Sequence, residues 1–233
     1  MRSRARDLFS GIAPNYDGPA EVFSLFQYSR WHSFLLSQLR LSDPARVLDV
    51  ATGTGAVALK AASRLGVQVV GADITGPMLR RAMARGAALG LERRLQWVEC
   101  DAEALPFADA AFDAVTATYL LRYVSDVPET VAELSRVLKP GGMILYLDFA
   151  VPRGVAGPLW RLHTSLVLPL GGALLSPGWR RVGGFLGGSI RRFCREWPEG
   201  RLLALWRELG FADVQAKRLS LGGALAIWGR KVP

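Results

Sequence analysis

The stretch Arg46-Val-Leu-Asp-Val-Ala-Thr-Gly-Thr-Gly55 decides the fold that the sequence predicts. Its first half is a compact apolar run, which is typical of a buried strand. Its second half is a glycine-rich turn, and a helical pattern follows from Ala56 to Leu65. The glycines let the backbone pass close to a ligand, and the helix N-terminus favours a carboxylate or a phosphate there. This stretch therefore predicts a ligand site at the end of a strand.

The same alternation of strand and helix continues outward from this stretch. Further strands are predicted at 67–72, 95–100, 112–118 and 143–149, with helices at 77–89 and 128–138 between them. Strands that alternate with helices indicate a parallel, doubly wound sheet that is covered on both faces. Two last strands, at 214–219 and 224–228, are separated by a short hairpin-like link. The expected fold is α/β, with a Rossmann-like, seven-stranded and mostly parallel sheet.

Two regions flank this core, one on its N-terminal side and one after the fifth strand. With the core and the C-terminal part they form a single expected domain, 1–233. Residues 1–42 are expected to form an N-terminal lid, in which 22–39 reads as one amphipathic helix. Residues 43–150 form the ligand-binding core. Residues 151–190 form an insertion between strands five and six that is rich in Gly, Pro and long apolar side chains, and 191–233 hold a C-terminal helix and the last strands.

The composition excludes several classes of protein. Apolar residues make up 50% of the chain and charged residues 21%, which is typical of a folded protein and not of a disordered one. Two cysteines are too few for a disulfide framework, so a reducing, cytoplasmic location is expected. The Arg-rich start lacks the apolar core of a secretory signal. No His/Cys cluster has zinc-ligand spacing, so no metal is expected.

The net charge of +9 lies entirely in the last third of the chain. Residues 153–233 hold 13 Lys or Arg and 4 Asp or Glu, so the rest of the chain is neutral. Such a patch can meet nucleic acid, an anionic membrane surface or acidic ligands, and it can equally be a solvated face. The apolar insertion beside these arginines favours peripheral contact with the inner face of a membrane.

Three acids at strand ends indicate which kind of ligand binds. Asp49 stands just before the glycines, Asp73 closes the second strand and Asp101 closes the third. The ends of parallel strands meet at the ligand side of a doubly wound sheet. Asp49 would repel a pyrophosphate, and position 58 is Ala where the dinucleotide fingerprint has its third glycine. Three carboxylates suit a ligand with a sulfonium and an amino group better than a dinucleotide.

This core resembles a class I S-adenosylmethionine-dependent methyltransferase. By that resemblance Gly53, Thr54 and Gly55 line the methionine part of the donor, Asp73 binds the ribose, and Asp101 with Ala102 binds the adenine. The resemblance completes the donor site with the residues Asp49, Ile74, Met78 and Thr118. The implied cofactor is S-adenosylmethionine, with S-adenosylhomocysteine as the product.

Further motifs resemble the ubiquinone/menaquinone-biosynthesis C-methyltransferase family over nearly the whole chain. They are Phe9-x-x-Ile-Ala-x-x-Tyr16-Asp17, Asp101-Ala-Glu-Ala-Leu-Pro-Phe107, Leu121-Arg122-x-Val124-x-Asp126, Ser189-Ile-Arg191, Leu209-Gly-Phe211 and Leu221-Gly-Gly-Ala-Leu-Ala226. The resemblance implies methylation of a ring carbon of a demethylated, lipophilic quinol. Arg122 is then the candidate group that stabilises the developing phenolate, and Tyr16 the candidate that positions the donor or the phenol. Residues 151–190 would cover the substrate.

Three departures from the family pattern fall on the expected substrate side. Tyr123 stands where the family usually has Asn, Ala20 replaces another usual Asn, and Tyr28 stands near a usual His. They leave open a methyltransferase of the same fold that acts on a soluble phenolic, polyketide or other small metabolite.

The sequence also leaves open a nucleic-acid methyltransferase and a non-catalytic protein that only binds the donor. Nucleic acid is disfavoured because the fourth strand ends in Thr118-Tyr-Leu-Leu121 and lacks the Asn/Asp-Pro-Pro-aromatic motif of base-amino methyltransferases. The two histidines, His32 and His163, are read as surface or core residues. The sequence does not indicate an oligomeric state.

Overall fold

A computed structural model describes residues 2–41 and 44–232 of the chain. The expected boundary between lid and core, at residues 42 and 43, lies outside the described residues. The sheet has seven strands in the order β3-β2-β1-β4-β5-β7-β6, and β7 alone runs against the others. The strands are β1 Arg46–Val50, β2 Gln68–Asp73, β3 Leu95–Glu99, β4 Phe112–Thr118, β5 Leu138–Phe149, β6 Phe211–Leu219 and β7 Ala224–Lys231. The expected doubly wound, mostly parallel sheet is confirmed.

Helices cover both faces of this sheet. They are α1 Arg2–Ser10, α2 Asp17–Phe23, α3 Tyr28–Ser37, α4 Ala56–Leu65, α5 Gly76–Ala88, α6 Val127–Val137, α7 Ala156–Leu162, α8 Leu168–Leu175, α9 Pro177–Glu196 and α10 Glu199–Glu208. One core cluster packs α6 and α10 on the sheet around Phe112 and Trp206, and another packs α3 and α4 around Leu35 and Val47. Burial of this apolar surface is the main force that holds the layers together.

The unit at the centre of the sheet forms where the sequence predicts it. Helix α4 has the expected bounds, since it begins after Gly55 at φ +78° and ends before Gly66 at φ +71°. Both glycines adopt the left-handed conformation that other residues resist. The face of α4 that carries Val57, Ala58 and Ala61 is buried against the sheet.

The single helix predicted over 22–39 is wrong, because the chain forms α2 and α3 with a turn between them. Leu25 and Phe26 have φ values of +56° and +60°, which a continuous helix does not allow. The carbonyl oxygen of Phe23 lies 2.9 Å from the Nε2 atom of His163. This oxygen is therefore bonded to a residue of the insertion and not to the next turn of a continuous helix. Aromatic spacing alone could not predict this contact, since its partner lies 140 residues away.

The predicted fifth strand begins earlier than expected. Phe112 of β4 pairs with Leu138 of β5, and Ala114 pairs with Met143, so the segment between Leu138 and Met143 bulges opposite one residue. The Pro140-Gly-Gly142 turn is therefore a bulge inside β5, where Gly141 has φ +74°.

The insertion after β5 is almost entirely helical. Helix α7, a π-helical turn His163–Val167 and α8 follow without a break. Pro169 is the second residue of α8 and directly follows the point where the π-helical turn changes to α-helix. Helix α9 runs through residue 190, so the expected end of the insertion falls inside a helix. Among the described residues no helix has the length and apolarity needed to cross a membrane.

Glycines set the spacing between α8 and α9. A Cβ atom on Gly172 would collide with the backbone of Trp179, and one on Gly183 would collide with the backbone of Leu168. The two helices therefore pack backbone against backbone. This close packing gives the insertion a fixed shape over the carboxyl ends of the strands.

Candidate active site

A cleft runs along the carboxyl ends of the central strands, and the glycine-rich turn forms its floor. Asp73, at the end of β2, holds this turn: one carboxylate oxygen accepts a hydrogen bond from the Gly53 N–H at 2.8 Å, and the other accepts one from the Thr75 N–H at 2.8 Å. Burial raises the pKa of Asp73 above its ordinary value. The turn needs glycine at Gly55 because a Cβ there would lie 2.8 Å from the Trp97 ring.

The cleft has two lobes that share Asp73 and Ile74. One lobe is lined by Cys100, Asp101 and Ala102, and the Asp101 carboxylate accepts a hydrogen bond from the Glu103 N–H at 3.0 Å. The other lobe reaches the start of α4, and its walls include Gly53, Ala56, Val57, Met78 and Thr118. Among the described residues that line either lobe, none is Lys or Arg. The site therefore offers carboxylates and suits a cationic ligand, and it opposes a pyrophosphate.

Seven of the ten expected donor residues line this cleft: Gly53, Asp73, Ile74, Met78, Asp101, Ala102 and Thr118. Asp49, Thr54 and Gly55 lie in the layer beneath it. Asp49 accepts hydrogen bonds from the hydroxyls of Thr52 and Thr116, both at 2.6 Å, and burial raises its pKa to about 6.

Thr54 and Gly55 point away from the cleft as well. The Thr54 hydroxyl donates to Asp17 at 2.6 Å, and Gly55 packs on Trp97. The sequence predicts that Asp49, Thr54 and Gly55 contact the ligand. In the structure they instead support the glycine-rich turn from below. Their positions in the sequence put all three at the end of β1. The sequence does not indicate which side chains face the cleft and which face the layer beneath it.

A second, apolar cavity of about 180 Å³ adjoins the cleft on the other side. Its walls come from α2 and α3, from the ends of β4 and β5, and from the insertion through residues such as Trp160, Leu168, Trp179 and Ile190. Arg122 is the one Lys, Arg, Asp or Glu among the described residues that line it.

A layer of aromatic side chains separates the cavity from the cleft and lines both of them. Its members, called the aromatic layer below, are Phe9, Tyr16, Tyr28, Tyr119 and Tyr123. The Tyr16 ring stacks on Trp179 with centroids 5.8 Å apart, and burial raises the pKa of Tyr16 above its ordinary value. Tyr16 thus lies between the two spaces, and its role in positioning the donor or the phenol stays a prediction.

Arg122 is buried and tightly held. Its Nε donates to a carboxylate oxygen of Asp148 at 2.7 Å, and both side chains are at most 2% exposed. Tyr146 donates its hydroxyl to the other oxygen of Asp148 at 2.8 Å, and the Phe149 N–H donates to the first at 2.7 Å. Burial alone would lower the pKa of Arg122, but Asp148 reverses this and raises it, so the guanidinium keeps its charge.

Sequence reasoning missed Asp148 and the two histidines as parts of the site. Asp148 could have been noticed as a carboxylate inside an apolar strand, where an acid needs a partner. His163 lines the apolar cavity, while His32 is 1% exposed and lines the cleft beside α4. Burial, and the neighbouring Lys60 charge to a smaller extent, lower the pKa of His32 to about 3, so its ring is neutral at physiological pH.

The sequence model of the ubiE/COQ5 methyltransferase family matches residues 1–231 of the chain. The chain belongs to the ubiE/COQ5 methyltransferase family. It is an S-adenosylmethionine-dependent methyltransferase, and the acidic cleft without Lys or Arg fits the cationic donor. Among the described residues no group of His, Cys, Asp and Glu has the arrangement of a metal site.

Several known proteins are similar to this methyltransferase. The ubiquinone/menaquinone biosynthesis C-methyltransferase UbiE of Desulfotalea psychrophila is 37% identical over 96% of this chain and 89% of its own length. The demethylmenaquinone methyltransferase of Thermus thermophilus is 43% identical over 72% of this chain and 77% of its own. Among solved structures, that of a putative S-adenosyl-L-methionine-dependent methyltransferase from Methanococcus maripaludis has a TM-score of 0.68 at 18% identity, and the match covers 97% of this chain and 94% of that one. The structural likeness supports the fold.

Proposed function

We propose that this methyltransferase transfers a methyl group from S-adenosylmethionine to a ring carbon of a demethylated quinol of the menaquinone or ubiquinone type. One observation carries the proposal: an apolar cavity with a single buried guanidinium meets the acidic cleft across the aromatic layer. An apolar pocket with few polar groups suits a lipophilic ring, and the guanidinium suits a phenolate oxygen. The names of the relatives point to the same class of acceptor.

The residues of the cleft would hold the donor in a fixed orientation. Asp73 accepts hydrogen bonds from the ribose hydroxyls, Asp101 and Ala102 meet the adenine, and Met78 packs against the adenosine. Gly53 and Thr118 border the methionine part. When bound, the donor supplies an electrophilic methyl group on its sulfonium. The protein would align ring carbon, methyl and sulfur and would exclude bulk water from the reacting atoms, apart from a bound water that accepts protons.

Arg122 acts on the acceptor. The ring carbon becomes nucleophilic when the adjacent phenol loses its proton, and the guanidinium stabilises the resulting phenolate. Arg122 is not itself the base because it stays charged, so the phenol proton and the ring proton that leaves after methyl transfer both pass to water. Asp148 fixes the orientation of Arg122 through the Nε contact, and Nη1 donates to the Tyr123 hydroxyl at 3.5 Å, so the acceptor oxygen would be met by Nη2. Tyr16 positions the phenol at the aromatic layer.

Methyl-labelled donor offered with three acceptors tests this proposal. The acceptors are a reduced long-tailed demethylmenaquinone, a tail-free naphthoquinol and total RNA. We expect label on a ring carbon of the long-tailed quinol. The variant Arg122→Lys, which keeps the charge but loses the planar fork, should lower turnover about 100-fold and leave S-adenosylhomocysteine affinity unchanged. Label on RNA alone, or wild-type turnover in this variant, would refute the proposal.

A soluble phenolic acceptor is the second candidate, and it is favoured by the positions of the three departures from the family pattern. Ala20, Tyr28 and Tyr123, the three positions that depart from the family pattern, all line the apolar cavity. Tyr123 adds a bulky ring where the family usually has Asn, and Tyr28 stands near a usual His. Label that enters only the tail-free naphthoquinol would move the assignment to such a metabolite.

The proposed membrane contact is made mainly by the outer face of α7 and α8. Leu159, Leu170 and Leu174 are 71%, 57% and 89% exposed there. Arg180 and Arg181 follow at the start of α9, so an apolar face adjoins a basic one, which is typical of a surface that meets anionic lipid. The same helices and the π-helical turn between them wall the cavity through Trp160, His163 and Leu168, which supports entry of the acceptor from the lipid.

Sedimentation with vesicles that contain anionic phospholipid tests this contact. The double variant Leu159→Ser with Leu174→Ser should bind vesicles several-fold more weakly than the wild type. Leu89→Ser is the matched control, because Leu89 is 62% exposed at the end of α5, away from this face. Equal binding of all three proteins would exclude this face as the membrane contact.

A further inference from the structure

Two buried polar atoms in the donor cleft have no hydrogen-bond partner among the described residues. They are the Nε2 atom of His32 and the hydroxyl oxygen of Tyr119. Both side chains line the lobe of the cleft that reaches the start of α4. A buried polar group without a partner costs free energy, so its presence at a ligand site calls for an occupant.

The two side chains are held in place by other rings. The Tyr28 ring packs edge-on against His32 with centroids 4.2 Å apart, and it stacks on Tyr119 at 6.0 Å. Tyr119 stacks on Phe149 from its other side at 4.7 Å. Neither ring is free to turn toward another partner. Both side chains therefore stay at the border of the lobe, His32 at the lobe alone and Tyr119 between the lobe and the apolar cavity.

The backbone of Tyr119 is also strained. Its φ is +58°, a left-handed value that is uncommon for any residue other than glycine and is often found at functional sites. Its N–H donates to the Leu147 carbonyl at 2.8 Å, which anchors the residue to β5 in this conformation. The chain thus turns sharply right after Thr118, and this turn brings the phenol to the cleft.

The position of the pair indicates which part of the donor it meets. The adenine end of the cleft lies at Asp101 and Ala102, whereas His32 and Tyr119 share their lobe with Gly53, Ala56 and Val57. The amino-acid end of the donor must reach this lobe, and it carries a carboxylate. No Lys or Arg among the described residues lines the lobe, so the carboxylate requires neutral N–H and O–H donors.

We propose that His32 and Tyr119 bind the carboxylate of the donor's methionine part, the imidazole through Nε2–H and the phenol through its hydroxyl. This inference rests on S-adenosylmethionine as the donor, as assigned above. The start of α4 adds its positive dipole end to the same lobe, which favours a negative group there. His32 is neutral, so in this arrangement the carboxylate is held by hydrogen bonds rather than by an ion pair.

Calorimetry with two ligands tests the proposal. The first is S-adenosylhomocysteine, and the second is its decarboxylated form, which keeps the adenosine, the thioether and the amino group. We expect His32→Phe and Tyr119→Phe each to weaken binding of the first ligand about tenfold, since hydrogen bonds to charged groups are strong. Binding of the decarboxylated ligand should change by less than twofold. His32→Gln, which keeps an N–H donor, should restore part of the affinity.

Trp206→Phe is the matched control. The Nε1 atom of Trp206 is buried and equally without a partner, but Trp206 lies in the core between the sheet and α10 and does not line the cleft. This control should bind both ligands like the wild type. Equal losses for the two ligands in the His32 and Tyr119 variants would overturn the proposal, as would no loss for either. A wild-type protein that binds neither ligand would instead refute the donor assignment on which the proposal rests.

Discussion

The buried ion pair between Arg122 and Asp148 allows a quantitative prediction about stability. Asp148→Asn keeps the shape of the side chain and an oxygen that can accept from Arg122. It removes the negative charge and puts an NH2 group in place of the oxygen that accepts from Tyr146. The guanidinium is 1% exposed, so it then remains as a buried cation without a counter-charge. Loss of one partner from such a pair costs about 3–5 kcal/mol. That is a large part of the roughly 5–15 kcal/mol that stabilises a whole domain.

An exposed ion pair of the same geometry supplies the control. Arg136 and Asp109 are also 2.7 Å apart, but the Asp109 side chain is 79% exposed. Exposed pairs contribute about 0–1 kcal/mol, because water already solvates both charges. Asp109→Asn should therefore leave the free energy of unfolding nearly unchanged. Both variants make the same chemical change at the same N···O distance. Arg136 keeps Glu133 as a second partner at 2.8 Å and stays accessible to water, whereas Arg122 is left buried without its carboxylate, so the two losses should differ by several kcal/mol.

Urea unfolding at neutral pH, followed by circular dichroism, measures both variants. For a chain of this length the expected loss in Asp148→Asn corresponds to a melting temperature roughly 6 to 20 °C lower. The double variant Arg122→Met with Asp148→Asn removes both charges and should be more stable than Asp148→Asn alone. A free energy of unfolding for Asp148→Asn within about 1 kcal/mol of the wild-type value would refute the buried pair. A double variant whose loss equals the sum of the losses of the two single variants would refute it as well.

Three further changes test other parts of the site. Asp73→Ala removes the acceptor for the Gly53 N–H and for the ribose, and calorimetry should show S-adenosylhomocysteine affinity reduced about 100-fold; unchanged affinity would contradict the site. Gly55→Ala forces a side chain into the left-handed region against Trp97 and should cost about 1–3 kcal/mol of unfolding free energy, whereas a stable variant would show that the turn can shift. The pKa of His32 is about 3 in the folded chain and about 6.5 in the unfolded chain, so the unfolded chain binds the proton first as the pH falls. Between pH 6 and pH 4 the free energy of unfolding of the wild type should therefore fall by about 1.4 kcal/mol per pH unit relative to that of His32→Phe. Parallel stability curves for the two proteins would contradict this.

The parts of the structure that the sequence predicts are those with local causes. The unit from Arg46 to Leu65 is specified by an apolar run, two glycines and a helical period, all within twenty residues. Asp73, Asp101 and Ala102 reach the cleft because every parallel strand ends at the same edge of the sheet. The family motifs add Tyr16 and Arg122, whose roles no local pattern would indicate.

The parts that could not be predicted depend on partners far away in the chain. The break between α2 and α3 involves His163, and the position of Arg122 depends on Asp148 and Tyr146 of a neighbouring strand. His32 gives no sign in the sequence that its Nε2 atom faces the cleft, since a histidine in an aromatic helix is equally compatible with a core position. The sequence gives no sign of Tyr119 either, because its position at the cleft depends on a left-handed φ that only the folded structure shows.

The placement of α1 has a consequence for the order of events during turnover. Arg6 of α1 donates to the Ile74 carbonyl at 3.1 Å, and Phe9 lines the cleft, so this helix borders the donor site. The ion pair between Arg6 and Glu99 spans 3.9 Å, and both side chains are more than half exposed, so it adds little to the attachment of α1. Phe9 belongs to the aromatic layer and lines the acceptor cavity as well as the cleft, so a movement of α1 would open both spaces at once. Departure of the spent nucleoside and exchange of the acceptor would then be one coupled event rather than two successive ones.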